Sequence, residues 1–181
     1  MLQNAVLIRP LTVADARACW DIRLRAFTES PGSFNTSPDD WRTHPISEIQ
    51  SLLSGEKGSP SDVVIGAFDP ALVGHIALRR EPRRKLAHRA TLSSLYVAPE
   101  ARGHGLGQRL MQALLDHARA QPDLVIIELT VMADNGDALR LYHRFGFRRY
   151  GYQARAAQDA TGYRDEERLM LDLDASANSP R

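Results

Sequence analysis

The chain has 181 residues, of which 43% are hydrophobic and 25% charged, the composition of one ordinary folded domain with a substantial core. Its formal net charge of +1 argues against a general nucleic-acid binder, and its one cysteine, Cys19, excludes an internal disulfide and a cysteine-rich metal site. Because the first ten residues lack a cationic leader and no apolar run reaches membrane-spanning length, we expect a cytoplasmic protein without a membrane partner.

The first third of the chain predicts one strand followed by helices. Residues 4–9 are expected to form the strand, and Thr12 with Asp15 resembles a capping box at the start of a helix. The apolar face of that helix is expected to comprise Val13, Ala16, Trp20, Leu24 and Phe27. A turn-rich segment ends it, Pro38 begins a short second helix, and Pro45 interrupts or bends the helical stretch that follows.

The middle of the chain predicts strands and then a helix. The runs DVVIGAF and ALVGHIALRR meet at Asp69-Pro70, which indicates an antiparallel hairpin. ATLSSLYV predicts a further strand that leads into ARGHGLGQRL, and apolar residues at helical spacing continue from there to about residue 121.

The last third predicts a strand, a helix and two closing strands. LVIIELTV is apolar enough for a central strand that is buried on both faces. ADNGDALRLYHRFG predicts a helix with Gly146 as a left-handed cap, and two β-rich runs close the sheet. The order favours an α+β domain with a mostly antiparallel sheet and one parallel strand, helix, strand unit. We predict one domain over residues 1–173 and a disordered tail over 174–181.

The stretch ARGHGLGQRL has the features of an anion site. A strand, a glycine turn and a helix place free N–H groups and the positive end of the helix dipole at one point. Two other phosphate motifs do not fit, because the dinucleotide pattern needs glycine where Gln108 stands and the P-loop needs a Gly-Lys-Ser/Thr ending. A merely tight turn remains the alternative.

Two motifs resemble those of the GNAT superfamily of N-acetyltransferases. LYVAPEARGHGLGQRLM is similar to its acyl-coenzyme A site, with Arg102, Gly105 and Gly107 at the signature positions. NGDALRLYHRFGF is similar to its second signature, which recurs here as Asn135, Ala138, Tyr142, Gly146 and Phe147. The resemblance implies acetyl-CoA as co-substrate, a primary amine as acceptor, six to seven strands and about four helices. It also allows a homodimer.

The resemblance further implies which residues bind the donor. The cofactor-binding set is Leu95, Val97, Arg102, Gly103, His104, Gly105, Leu106, Gly107, Gln108, Asn135 and Tyr142. Leu95 and Val97 would pair with the pantetheine arm, and the N–H of Val97 would face the oxygen of the tetrahedral intermediate. That N–H is free only where the strand is splayed or bulged.

The acceptor amine must lose a proton, because a lysine-like amine with a pKa of about 10.4 costs roughly 4 to 5 kcal/mol to deprotonate at pH 7. Glu128 is one candidate base, although several relatives carry the carboxylate two residues later, where Thr130 stands. Glu29 and His75 are the other candidates, and a plain helix-end charge or a half-buried histidine is the alternative for each. Together with Phe34, Glu29 and His75 form the predicted acceptor-binding set.

Tyr142 occupies the family's general-acid position. Full proton transfer from an ordinary phenol to a thiolate is uphill by roughly 2 kcal/mol, so hydrogen bonding to the departing sulfur is as plausible a role. The histidines show no metal-ligand spacing, and we predict no metal. The arginine-rich run RREPRRKLAHR indicates a solvated turn or a surface that attracts acidic groups.

The leading hypothesis is therefore an acetyl-CoA-dependent N-acetyltransferase that acts by direct attack on a small-molecule or peptide amine. A noncatalytic acyl-CoA binding or sensing module is the alternative, motivated by Thr130. A nucleotide-binding protein is a third. The acceptor segments do not identify the amine.

Overall fold

A seven-stranded sheet in the order β1-β2-β3-β4-β5-β7-β6 forms the centre of the molecule. The computed structural model describes residues 6–56, 59, 61–159 and 161–174. The strands are β1 (Leu7–Pro10), β2 (Val63–Asp69), β3 (Ala71–Arg80), β4 (Arg89–Val97), β5 (Ile126–Met132), β6 (Arg148–Asp159) and β7 (Gly162–Asp172). All adjacent strands pair antiparallel except β4 and β5, which pair parallel. The predicted α+β fold is confirmed.

Five α-helices accompany the sheet in the described part of the chain. They are α1 (Ala16–Glu29), α2 (Pro38–Arg42), α3 (Ile46–Ser54), α4 (Leu106–Arg119) and α5 (Gly136–Arg144). The predicted Asp69-Pro70 hairpin, the break at Pro45 and the left-handed Gly146, with φ of 89°, are all present. Positions 4 and 5 of the predicted first strand and residues 175–181 of the predicted tail lie outside the described residues.

The core lies on both faces of the sheet. On one face, α4 and α5 pack on alternate strand residues such as Ile76, Ile127 and Leu169. On the other face, α1, α2 and α3 pack around Cys19, Trp41 and Ile49. Successive side chains of a strand point to opposite faces of the sheet, so one strand can contribute residues to both cores. Odd-numbered residues of β5 and β7 therefore lie on the face of α4 and α5, and even-numbered residues lie on the opposite face.

The buried stripe of α1 differs from the expected one. Val13 is 43% exposed in a 3-10 turn, whereas Cys19, Ile22 and Ala26 are buried. The helix contacts both the sheet and α3, so its buried face is wider than a single apolar stripe and is centred elsewhere. Arg23, next to Ile22, is therefore partly buried, and its Nη2 donates to Ser94 Oγ of β4.

The strands β4 and β5 separate soon after they pair. Their register covers only Arg89 to Thr91 opposite Ile126 to Glu128, and beyond that point no pairing joins the two described strands. A register shift interrupts the β3–β4 ladder, and Ser94 has a positive φ of 59° nearby. The prediction that β5 is buried on both faces is wrong, because the separation leaves Thr130 exposed.

Candidate active site

A cleft of about 1070 Å³ opens where β4 and β5 separate. Its walls come from the ends of β4 and β5, the glycine turn, the start of α4 and one side of α5. Residues of α1 and α2, the segment between them and one position of β7 complete the walls. The volume is large enough for a cofactor-sized ligand. The cleft divides into a donor half, next to α4 and α5, and an acceptor half, next to α1 and α2.

The glycine turn forms the floor of the donor half. Gly103 and Gly105 have φ of 79° and 72°, and a Cβ on either would meet no atom within 4 Å. Gly105 is the N-cap of α4 and offers no capping side chain, and the N–H of Arg109 is bonded to Gly105 O at 3.1 Å. The N–H groups of Leu106 and Gly107 precede the first intrahelical bond, so they are free to bind an anion.

The end of β4 presents the backbone of Val97 to the cleft. Ala98 N–H donates to Val73 O on β3 at 2.8 Å, and adjacent residues of an antiparallel ladder direct their N–H groups to opposite sides. The N–H of Val97 therefore points away from β3 and into the gap that β5 leaves. The gap provides the free donor that an oxyanion needs.

Arg102 contacts the same end of β4. Its Nε donates to Val97 O at 2.8 Å, and its guanidinium lies 5.8 Å from the centre of the Tyr96 ring. Arg140 and Arg144 of α5 also line the cleft, together with Asp137. The donor half is therefore lined by more positive than negative charge.

Tyr142 projects from α5 into the cleft and packs edge-on against Phe147, with ring centroids 5.8 Å apart. The side chain is 7% exposed, and this burial raises the pKa of Tyr142 to about 12. Asn135 begins the same helix, and its Oδ1 accepts a hydrogen bond from the N–H of Ala138 at 3.2 Å. The Nδ2 of Asn135 donates to Ser33 Oγ, so this amide joins the two halves of the cleft.

The acceptor half contains a buried carboxylate that the motif comparison did not indicate. Glu166 of β7 lines the cleft and is 8% exposed. Its Oε1 accepts a hydrogen bond from Asn35 Nδ2 at 2.7 Å. Glu166 pairs with Met132 of β5, and it is diagonal to Thr130 on the same sheet face. The carboxylate thus stands on β7, the strand next to the one that carries Thr130.

Arg23 lies in the acceptor half as well. Its Nη2 donates to Ser94 Oγ at 3.1 Å, and its guanidinium lies 5.4 Å from the Trp41 ring centre. Its Nε is buried and lacks a hydrogen-bond partner among the described residues. Desolvation lowers the pKa of Arg23, because burial disfavours the charged form.

The structure brings most of the predicted donor residues together. Lining the cleft are Leu95, Val97, Arg102, Gly103, Gly105, Leu106, Gly107, Gln108, Asn135 and Tyr142, and Phe34 lines the acceptor half. His104 is exposed outside it, with Nδ1 2.8 Å from Arg102 O.

Three predicted acceptor or base residues lie outside the cleft walls. Glu128 forms an ion pair with Arg89 where β4 and β5 still pair. Glu29 accepts hydrogen bonds from Tyr96 Oη and Arg25 Nε, which lower the pKa of Glu29. His75 is 1% exposed beneath α1, and desolvation lowers the pKa of His75 to about 3. All three side chains are occupied or enclosed away from the reacting centre.

The arginine-rich run also lies away from the cleft. It forms the connection between β3 and β4, at the end of β4 opposite Val97. Arg80 donates to Ala87 O, and Arg83 pairs with Glu81 at 2.7 Å. These contacts are those of a solvated turn.

Residues 6–56, 59, 61–159 and 161–174 contain no group of three or more His, Cys, Asp or Glu side chains that could hold a metal ion. Within the same ranges, no helix has the length and apolar character to cross a membrane.

Comparisons with known proteins agree with this geometry. The family model for "Acetyltransferase (GNAT) family" matches residues 18–147. The chain is 30% identical over 151 residues to the N-alpha-acetyltransferase RimI of Mycobacterium tuberculosis, covering 83% of each protein.

Solved structures share the fold. A GNAT-family acetyltransferase of Streptococcus pneumoniae superposes with a TM-score of 0.85 and 22% identity, over 93% of this chain and 99% of that one. A phosphinothricin acetyltransferase of Sinorhizobium meliloti in complex with AcCoA gives a TM-score of 0.78 and 19% identity, over 98% and 94% of the two chains.

Proposed function

Because the chain belongs to the GNAT family of acetyltransferases, we propose that it acetylates a primary amine by direct attack on acetyl-CoA. The observation that carries the proposal is the gap between β4 and β5, which joins a free N–H at Val97, the glycine turn and Tyr142 in one cleft. Acetyl-CoA supplies the acetyl group as a thioester. In the overall step a C–N bond forms, the C–S bond breaks, and the amine loses a proton.

The donor half fits a coenzyme with phosphate groups. The turn at Gly103 and Gly105 leaves open space where side chains would stand, and the first N–H groups of α4 lack intrahelical partners. Arg102, Arg140 and Arg144 contribute positive charge to the same walls. We assign the pyrophosphate to the glycine turn and the pantetheine arm to the strand end at Leu95 and Val97.

Tyr142 acts on the sulfur by hydrogen bonding in this proposal. With a pKa of about 12 for Tyr142 and about 8.5 for an ordinary thiol, complete proton transfer would be uphill by about 5 kcal/mol. The phenol therefore stays protonated at neutral pH and donates to the charge that develops on the sulfur. The N–H of Val97 donates in the same way to the carbonyl oxygen.

Glu166 replaces Glu128 as our candidate for accepting the amine proton. It is the carboxylate that lines the acceptor half, whereas Glu128 pairs with Arg89 outside it. Transfer through one water is compatible with this position.

A covalent acetyl-enzyme through cysteine is disfavoured. Cys19 is 0% exposed inside the core of α1, and desolvation raises the pKa of its thiol. The thiolate is the reactive form of cysteine, so this residue is unreactive. The noncatalytic alternative finds no support among the relatives described above, since all three are named acetyltransferases.

Substitution of Tyr142 by Phe tests the proposal. We expect kcat for thiol release from acetyl-CoA in the presence of an accepted amine to fall at least tenfold, the size of a lost charge-assisted hydrogen bond of about 1.5 kcal/mol or more. The KM for acetyl-CoA should change less than twofold. Tyr163→Phe, at a 61% exposed position outside the cleft, is the matched control.

Two results would contradict the proposal. Unchanged turnover in Tyr142→Phe would show that the Tyr142 hydroxyl takes no part in the reaction. An acetylated protein, detected by mass spectrometry after incubation with acetyl-CoA alone and consumed on adding the amine, would exclude direct attack.

A further inference from the structure

The acceptor half of the cleft contains Arg23, a partly buried positive charge that pairs with no carboxylate among the described residues. Arg23 forms no ion pair with any described residue, and its polar contacts are limited to the Ser94 hydroxyl. By contrast, Arg25, two residues further along α1, pairs with both Glu29 and Glu100. A buried charge without a partner is costly, so this arrangement is typical of a site that a ligand completes.

No charged side chain in the described part of the chain neutralises Arg23. The groups that influence it electrostatically are Cys19 and Arg79, and it in turn influences His75. Cys19 is a buried thiol whose pKa is raised, and burial lowers the pKa of His75, so both are uncharged at neutral pH. Arg79 adds a second positive charge. The local field around the guanidinium is therefore positive and favours an anion.

The same half contains a buried carboxylate, Glu166, that no cation among the described residues pairs with. Glu166 has no ion pair among the described residues, and Asn35 gives it a neutral hydrogen bond. The next residue along β7, Glu167, does pair with Arg149 at 3.1 Å. Glu166 and Arg23 belong to the same cleft but stand on its two sides, one on β7 and the other beside β4.

We propose that the acceptor is a small amine that also carries a carboxylate, such as a free amino acid, with its ammonium group at Glu166 and its carboxylate at Arg23. This inference rests on the proposed acetyl transfer and specifies its substrate class. A polyamine would place a second cation near Arg23, and a peptide N-terminus would leave the guanidinium without an anion. Opposite charges on one small molecule satisfy both side chains.

The same arrangement aids product release. Acetylation converts the ammonium group into a neutral amide, which no longer forms an ion pair with Glu166. The product is then held by one ion pair, to Arg23, whereas the substrate was held by two.

The first experiment needs no variant. Thiol release from acetyl-CoA is measured with the L-amino acids and, for each one accepted, with its C-terminal carboxamide. Spermidine and a short peptide with a free N-terminus complete the panel. We expect kcat/KM to be at least tenfold higher for the acid than for its carboxamide, because only the acid pairs with Arg23.

Variants then assign the preference to the two side chains. In Arg23→Gln, kcat/KM for the acid should fall towards the value for the carboxamide, so the acid-to-carboxamide ratio should approach one. Arg23→Lys should retain part of the preference. Arg17→Gln, an exposed arginine of the same helix paired with Asp21, should retain all of it. Glu166→Gln should lower kcat/KM at least tenfold for both compounds.

The failures can be told apart. Faster turnover of spermidine or the peptide than of any amino acid, or an acid preference that survives in Arg23→Gln, would overturn the substrate class while leaving acetyl transfer intact. Absence of thiol release with every amine, although acetyl-CoA binds, would overturn the proposed function itself. Thermal unfolding of each variant checks the fold, and the acid-to-carboxamide ratio of the unmodified protein decides the matter if Arg23→Gln does not fold.

Discussion

His75 is an enclosed polar side chain in the middle of β3. It is 1% exposed, and neither ring nitrogen has a hydrogen-bond partner among the described residues. Desolvation and the nearby charge of Arg23 lower the pKa of His75 from 6.5 to about 3. The folded protein therefore holds this ring neutral at pH values where an unfolded chain would protonate it.

This burial predicts a loss of stability in acid. Below pH 6.5 the unfolded state gains a proton at His75 that the folded state does not take up until about pH 3. The free energy of unfolding should therefore decrease as the pH is lowered through that window, by up to about 1.4 kcal/mol per pH unit from this one group. His75→Leu should remove that part of the slope, as measured by urea unfolding between pH 7 and pH 4.

The control is His88→Leu in the exposed β3–β4 turn, which should keep the slope of the parent protein. Equal slopes for His75→Leu and the parent would show that the ring is protonated in the folded state.

Some site residues were predictable from the sequence and others were not. Tyr142 and Asn135 stand in a local motif whose spacing places both on one helix, so their joint position in the cleft followed from short-range order. Arg23 and Glu166 depend on how α1 rotates against the sheet and how β7 aligns with β5. Long-range packing decides both, and no local pattern carries that information.

At the scale of elements, the short pairing of β4 with β5 determines the site. Its last residue pair is Thr91 with Glu128, and the carboxylate of Glu128 bonds the guanidinium of Arg89, including Nε at 3.0 Å. Glu128 thus lies where the strands are still joined, two residues short of Thr130 and the gap. Its ion pair with Arg89 joins β4 to β5.

We therefore expect Glu128→Gln to affect stability more than catalysis. The ion pair is partly exposed, with 21% of the Glu128 side chain accessible, so its loss should cost about 1 kcal/mol or less. kcat/KM should stay within about twofold of the parent value, in contrast to Glu166→Gln. Arg89→Gln removes the other partner of the ion pair, so its Tm and its kcat/KM should equal those of Glu128→Gln. A tenfold loss of kcat in Glu128→Gln with an unaltered fold would instead support Glu128 as the general base.

Element order was largely predictable because Pro45, Pro70 and Gly146 mark turns and caps through their own backbone chemistry. The separation of β4 from β5 was expected only through the requirement for a free N–H at Val97. The apolar pattern of β5 indicated burial on both faces, since periodicity reports the polarity of residues and not where a neighbouring strand stops.

At the scale of the whole molecule, the cleft predicts selective stabilisation by acetyl-CoA. A ligand that binds only the folded protein at a hundredfold excess over its Kd adds about 2.7 kcal/mol, which is roughly 5 to 10 °C in Tm for a chain of this size. ATP and NAD should give smaller shifts, because the glycine turn does not fit their sequence motifs. A thermal scan with each ligand measures this.

Gly107→Ala supplies the matched variant. A Cβ at position 107 would meet Leu141 at 3.7 Å, an ordinary contact, so the unliganded Tm should be unchanged or higher. The shift with acetyl-CoA should shrink, since the methyl group stands beside the N–H groups proposed to bind pyrophosphate. An undiminished Tm shift with acetyl-CoA, or a larger shift with ATP, would show that the coenzyme does not bind at the glycine turn.

The gap in the sheet also has a consequence for folding order. The hairpins β2–β3, β3–β4 and β6–β7 join strands that are close in sequence, whereas β4 and β5 are parallel, separated by α4 and held by three residue pairs. Closing such a loop costs chain entropy before so few pairs can offset it. We expect the hairpins to form first and this junction late. The catalytic cleft would then exist only once the whole chain has assembled, so partly folded molecules would bind neither substrate.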